Sequence, residues 1–278
     1  CLALVVANSP FNNLYNTLFN HPFVFGQSLQ FIINDGLMAI FFLLIGLELE
    51  REIYKGELSN IKNALLPVIA AIGGVLIPAG IYVFLNYGSI TQAGAGIPMA
   101  TDIAFSIGVL SLLGSKVPAS LKIFLTALAV IDDLCAILVI AIFYTADISS
   151  TYLLITLGIF MLLLILNRTG VRNLTPYLIG GIAMWYCMMH SGVHATLSGV
   201  LLAFAIPFGN GEKKSTSYLL QHALHKPVAF IILPLFALAN TCIIFQGDWT
   251  NGLVADYTIG IYAGLLAGKP IGILIFCG

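Results

Sequence analysis

Residues 123–143 read IFLTALAVIDDLCAILVIAIF, an apolar run with two adjacent aspartates, Asp132 and Asp133, near its middle. Hydrophobicity is continuous along the run rather than alternating, so the segment reads as a helix and not as one strand of a barrel. A bilayer core of ~30 Å needs about 20 apolar residues in helical form. The run meets that length and sets two carboxyl groups at mid-depth, where each charge costs ~2.5–3.5 kcal/mol on insertion scales. Intramembrane acids face partners or a polar path, and the remaining sequence must supply them.

The whole chain supports the membrane reading. Of its 278 residues, 59% are hydrophobic and only 8% charged, against roughly 25% charged in soluble domains. The predicted class is an all-α polytopic membrane protein, with 1–278 forming a single transmembrane transporter domain. After a partial first segment, nine spans are expected at 31–49, 64–85, 95–113, 119–144, 151–167, 174–190, 192–207, 227–245 and 258–277. Ten of the eleven Lys and Arg residues then fall on one side: Arg51, Lys55, Lys62, Lys116, Lys122, Arg168, Arg172, Lys213, Lys214 and Lys226. That side should be cytoplasmic. The net charge of −1 and the lack of a basic tract leave no basis for nucleic-acid binding. Five scattered cysteines show no metal-binding spacing. Both ends, CLALVVA and IGILIFCG, fall within apolar runs and read as cuts through helices.

The eleventh cation, Lys269, lies inside the last span, in AGLLAGKPIGILIF. A lysine at that depth needs a carboxylate partner or must lose its proton, and an aspartate is the economical partner. Asp102, preceded by Thr101, follows Gly94, Gly96 and Pro98 in GAGIPMATDIAF. Proline removes a backbone donor and glycine loosens the chain, so a helix interrupted near Thr101 and Asp102 would expose backbone polar groups at membrane depth. Asp132 and Asp133 diverge by ~100° around their helix and cannot share one partner geometry. Two neighbouring acids resist double ionisation unless a cation compensates. Proton and alkali cation would then compete for the same oxygens.

Other polar groups read more quietly. ELEREIYKGE at 48–57 is a charged helix end. His190 and His194 are spaced i, i+4 but lack an evident third ligand for a metal. His222 and His225 precede a span on the cytoplasmic side. An intramembrane aspartyl protease would need GxGD, whereas TDIA surrounds Asp102 and VIDDL surrounds Asp132. Ser191 and His194 lack a GxSG setting. A channel or an organic-anion transporter gives no reason for an acid pair beside a lysine.

At these residues the chain closely resembles the NhaA-type sodium/proton antiporters. The matching stretches are INDGLMAIFFLLIGLELERE, PVIAAIGG, IPMATDIAFSIGVLSLLGSKVP, LKIFLTALAVIDDLCAI, SGVHATLSGV, ILPLFALAN and GKPIGI. The resemblance implies an inverted-repeat fold with interrupted helices, of which this chain would hold about ten of twelve. It implies a secondary transporter of bacterial inner membranes, not an enzyme, that exchanges Na+ or Li+ for H+ electrogenically and without a cofactor. By the same resemblance Asp132 and Asp133 bind cation and protons, Asp133 as the principal ligand; Thr101 and Asp102 sit at the helix break; and Lys269 supplies counter-charge, pairing with Asp132 in one state and released by it in another. Glu48, Arg51, Glu52, His222 and His225 correspond to a pH-sensing cluster. Here Gln221 stands where the family carries a glutamate, and Glu50 where a lysine is common. The family's hairpin supports a homodimer; the corresponding segment between Pro22 and Asn34 is shorter in this chain.

Overall fold

The computed structural model describes residues 2–24, 26–99, 110, 112, 117–143, 148–209, 211–212, 215–241, 243–244 and 249–278. Helices dominate because apolar segments in lipid must satisfy their backbone groups internally. In chain order they are α1 (Leu2–Ala7), α2 (Asn12–Asn20), α3 (Leu29–Lys55), α4 (Ile61–Leu85), α5 (Ala119–Phe143), α6 (Ser150–Arg168), α7 (Thr175–Met189), α8 (Leu197–Ala205), α9 (Thr216–Asn240) and α10 (Asp256–Cys277). A 3-10 segment, Ile90–Met99, follows α4. Two short strands, β1 (Pro22–Val24) and β2 (Gln27–Ser28), pair antiparallel around Gly26, whose φ of 76° suits glycine. The hairpin position expected from the resemblance is therefore occupied, in short form.

Six described helices are long and apolar enough to cross a membrane: α3, α4, α5, α6, α9 and α10. Two expected spans are shorter than drawn from composition. The 174–190 segment is the 15-residue α7, and 192–207 contains only the nine-residue α8. Between them Ser191 ends the α7 helix: its hydroxyl donates to the Met188 carbonyl and accepts from Val193 N, and Gly192 adopts φ 83°. The 227–245 span begins earlier, at Thr216, where the Ser215 hydroxyl caps α9 by accepting from Tyr218 N at 3.3 Å. Helix geometry tolerates the polar turns that hydropathy excludes, so His222 and His225 lie within α9 rather than before it. The expected break near Thr101 and Asp102 falls outside the described residues.

Three of the long helices contain a π-helical turn: Ile32–Leu37 in α3, Val228–Ile232 in α9 and Gly264–Gly268 in α10. The latter two stand immediately before Leu233–Pro234 and Lys269–Pro270. A proline inside a helix cannot donate to the carbonyl four residues back, and its ring crowds that carbonyl. A widened turn just before the proline relieves both problems. In α10 the residue at the exit of that turn is Lys269.

The chain forms two compact units, one of Cys1–Arg51 with Tyr144–Gln246 and one of Glu52–Phe143 with Gly247–Gly278. In the first, Leu43 and Leu47 of α3 pack with Leu163, Tyr177, Met184, Leu202 and Ala203 of α6, α7 and α8. Close approach of α3 and α8 depends on small residues, because a side chain at Gly199 would strike the Ala39 carbonyl and the Leu43 amide. In the second unit, α10 lies against α4 along Gly260, Gly264, Gly268 and Gly272, spaced four apart. A Cβ at Gly272 would run into the Gly73 carbonyl. Small residues let helix backbones meet closely in membranes, where packing rather than water exclusion drives association.

Candidate functional site

Asp132 and Lys269 meet in the second unit. On α5 the residues Leu128, Ile131 and Cys135 pack with Ala70 and Ala71 of α4. Asp132 follows Leu128 by four positions and so extends this packed side of the helix. On α10, Ile273 and Cys277 join the same cluster, and Lys269 continues their i, i+4 row one turn earlier. Two apolar stripes thus carry a carboxylate and an ammonium toward one point. Lys269 Nζ lies 2.8 Å from Asp132 Oδ2, with the two side chains 11% and 1% exposed. Gly74 of α4 borders the lysine stem: a Cβ there would lie 3.9 Å from Lys269 Cε.

A second contact holds the ammonium. Lys269 Nζ also donates to the main-chain carbonyl of Met99, at the end of the 3-10 segment. A buried lysine is tolerable when paired and hydrogen-bonded, and here carboxylate and carbonyl share the charge. Met99 escaped the sequence reading because its contribution is a backbone atom. Its position directly after Pro98 was the available signal, since a broken helix leaves carbonyls free. Asp133 is half-buried on a different side of α5. Among the described residues the ion pair to Lys269 is made by Asp132. Thr101 and Asp102 lie outside the described residues.

A separate polar cluster forms in the first unit, between the end of α3 and the start of α9. Leu44 of α3 packs with Val228 and Ile232 of α9. Glu48 and Arg51 follow Leu44 by four and seven positions and continue that side of α3 toward α9. Arg51 Nη1 donates to Gln221 Oε1 at 3.5 Å, and its guanidinium stands 5.0 Å over the Tyr218 ring. The Tyr218 and His222 rings are nearly parallel, with centroids 6.2 Å apart. Gln221 also approaches the Glu48 carboxylate, with His225 in electrostatic reach. Glu48, Arg51, His222 and His225 therefore share one locality, and Tyr218 and Gln221 join them. Glu52 falls in the second unit, where its carboxylate covers Gly56.

His190 has a local role. Its Nδ1 faces the Tyr186 carbonyl at 2.9 Å, and its ring lies against those of Tyr152 and Tyr186. Among the described residues no three His, Cys, Asp or Glu side chains are gathered as a metal cluster.

A lysine–aspartate pair buried between apolar helices of a polytopic membrane protein is costly and marks a candidate functional site. The sequence matches the family "Na+/H+ antiporter 1" over residues 1–278. It is 65% identical to the protein named Na(+)/H(+) antiporter NhaA of Flavobacterium psychrophilum, across 98% of this chain and 71% of that one. Identity is 63% to Na(+)/H(+) antiporter NhaA 1 of Flavobacterium johnsoniae, covering 99% and 72% of the two chains. It is 62% to the NhaA antiporter of Cytophaga hutchinsonii, covering 99% and 71%. The chain belongs to the Na+/H+ antiporter 1 family; its members are transporters and not enzymes.

Proposed function

We propose that this protein exchanges cytoplasmic Na+ or Li+ for external H+ in a bacterial inner membrane, with residues 1–278 belonging to a single transport domain. The Lys269–Asp132 ion pair carries the reading. In the proton-loaded state the pair Asp132 and Asp133 carries the protons, and Lys269 supplies counter-charge beside Asp132. An entering Na+ takes oxygen ligands from Asp133 and Asp132, and the family resemblance adds Asp102 and Thr101 to the binding residues. It displaces the protons that the two aspartates carry, and Asp132 releases Lys269. One positive charge replaces two, so the cycle is electrogenic and carries more protons than sodium ions. The transported ions are cargo, and no cofactor takes part.

Orientation follows from the basic loops, which face the cytoplasm. The cluster of Glu48, Arg51, His222 and His225, without Glu52, serves as the pH-responsive region and lets exchange regulate internal pH and sodium. The hairpin of β1 and β2 supports a homodimer. The test uses inverted vesicles holding a preformed ΔpH and the antiporter expressed from its complete gene. Added Na+ or Li+ should dissipate the gradient, K+ should do little, and Asp133→Asn should abolish the response. A full response in the Asn variant would remove Asp133 from the site; no response in the parent protein would sink the reading.

A further inference from the structure

The first unit holds a carboxyl group that the exchange site does not use. Glu50 of α3 is only 3% exposed, and its Oε2 is buried with no hydrogen-bond partner among the described residues. Its helical position explains the burial. Glu50 follows Leu43, Gly46 and Leu47 by seven, four and three positions, so it continues their side of α3. Leu43 and Leu47 pack into the core of α6, α7 and α8, and Gly46 sits against Val200 and Ala203 of α8. Neighbouring Glu48 and Arg51 point the other way, to α9.

Few charges are placed to balance it. Helices α7 and α8 contain no ionisable side chain except Tyr177 and Tyr186 of α7 and its Cys187, and α6 adds only Tyr152 and the exposed Arg168. Helix α9 lends Leu220 and Leu224 to the core. Its His222, His225 and Lys226 are exposed, and His225 faces Glu48. On α3 itself Lys55 is exposed and Arg51 is engaged with Tyr218 and Gln221. An alkali cation would need several oxygen ligands, and among the described residues no three His, Cys, Asp or Glu side chains are gathered as a metal site. The ligand that a lone carboxyl in apolar surroundings can take without further donors is a proton.

We propose that Glu50 is a proton-binding residue outside the exchange site, neutral while α3 packs on α8, and that losing its proton loosens this end of α3 from the core. The proposal goes beyond the antiport reading, and neither readout below depends on transport. Infrared spectra of the purified full-length protein at neutral pH should contain the carbonyl stretch of a protonated carboxylic acid that Glu50→Gln loses. The protection of amides in residues 43–50 and 197–205, with the base-catalysed intrinsic exchange rate divided out, should fall with alkalinity in the parent protein and stay flat in Glu50→Gln. Glu50→Leu, uncharged and apolar, should behave like the Gln variant. Identical carboxyl bands in parent and Gln variant would overturn the proposal. So would protection that falls equally in all three proteins, or that does not fall in the parent.

Discussion

Lys269→Ala leaves the Asp132 carboxylate without its cation at a position where that side chain is 1% exposed. Removing one partner of a buried ion pair costs about 3–5 kcal/mol, because the surviving charge is left uncompensated in low dielectric. At ~2–4 °C per kcal/mol for a chain of this order of size, the melting temperature should fall by about 6–20 °C. The double variant Asp132→Asn/Lys269→Gln keeps a neutral hydrogen-bonding pair and should recover most of the loss. Far-ultraviolet circular dichroism melts in detergent for parent, single and double variants measure both effects. A Lys269→Ala protein that melts with the parent would refute the reasoning, as would a double variant that melts no higher than Lys269→Ala.

Asp133→Asn leaves the Lys269–Asp132 pair intact, so it should lose cation-driven ΔpH dissipation while melting close to the parent protein. Gly272→Val forces a side chain into the Gly73 carbonyl; overpacking of about 1–3 kcal/mol or more should appear as a lower melting temperature. Gln221→Glu places a carboxylate beside the Arg51 guanidinium, now 3.5 Å from the amide oxygen. It should shift the pH profile of exchange while stabilising the protein by no more than ~1 kcal/mol. Tyr218→Leu removes the ring under Arg51, an interaction worth ~0.5–1 kcal/mol at an exposed site, and should change the pH profile without affecting cation affinity at the optimum.

The parts of the site that were legible in the sequence were those that violate the cost of charge in lipid. Asp132, Asp133 and Lys269 stand out because each sits in an apolar run, and the need for a Lys–Asp contact follows from energetics alone. Which aspartate meets the lysine depends on helix rotation and on a π turn before Pro270, neither of which composition fixes. The Met99 carbonyl was hidden because main-chain atoms carry no residue signature. Helix ends were the weakest part of the reading. Hydropathy marks the apolar stretch, whereas the Ser215 cap starts α9 within polar sequence and Ser191–Gly192 stops the expected 174–190 and 192–207 spans from filling their length. The cluster of Glu48, Arg51, His222 and His225 was legible only by resemblance, because long-range pairing of two helix ends leaves no periodic trace. Tyr218 and Glu50 took their meaning from packing.

The central claim is that protons and alkali cations compete for the oxygens of Asp132 and Asp133 beside Lys269. Proton release on cation binding tests it most directly. Purified full-length protein is titrated with Na+ or Li+ in a weakly buffered solution containing a pH-sensitive dye, alongside Asp133→Asn. The account predicts proton release that saturates with the cation in the parent protein, is absent with K+, and is lost in the variant. Cation binding without proton release, or release that persists undiminished in Asp133→Asn, would contradict it.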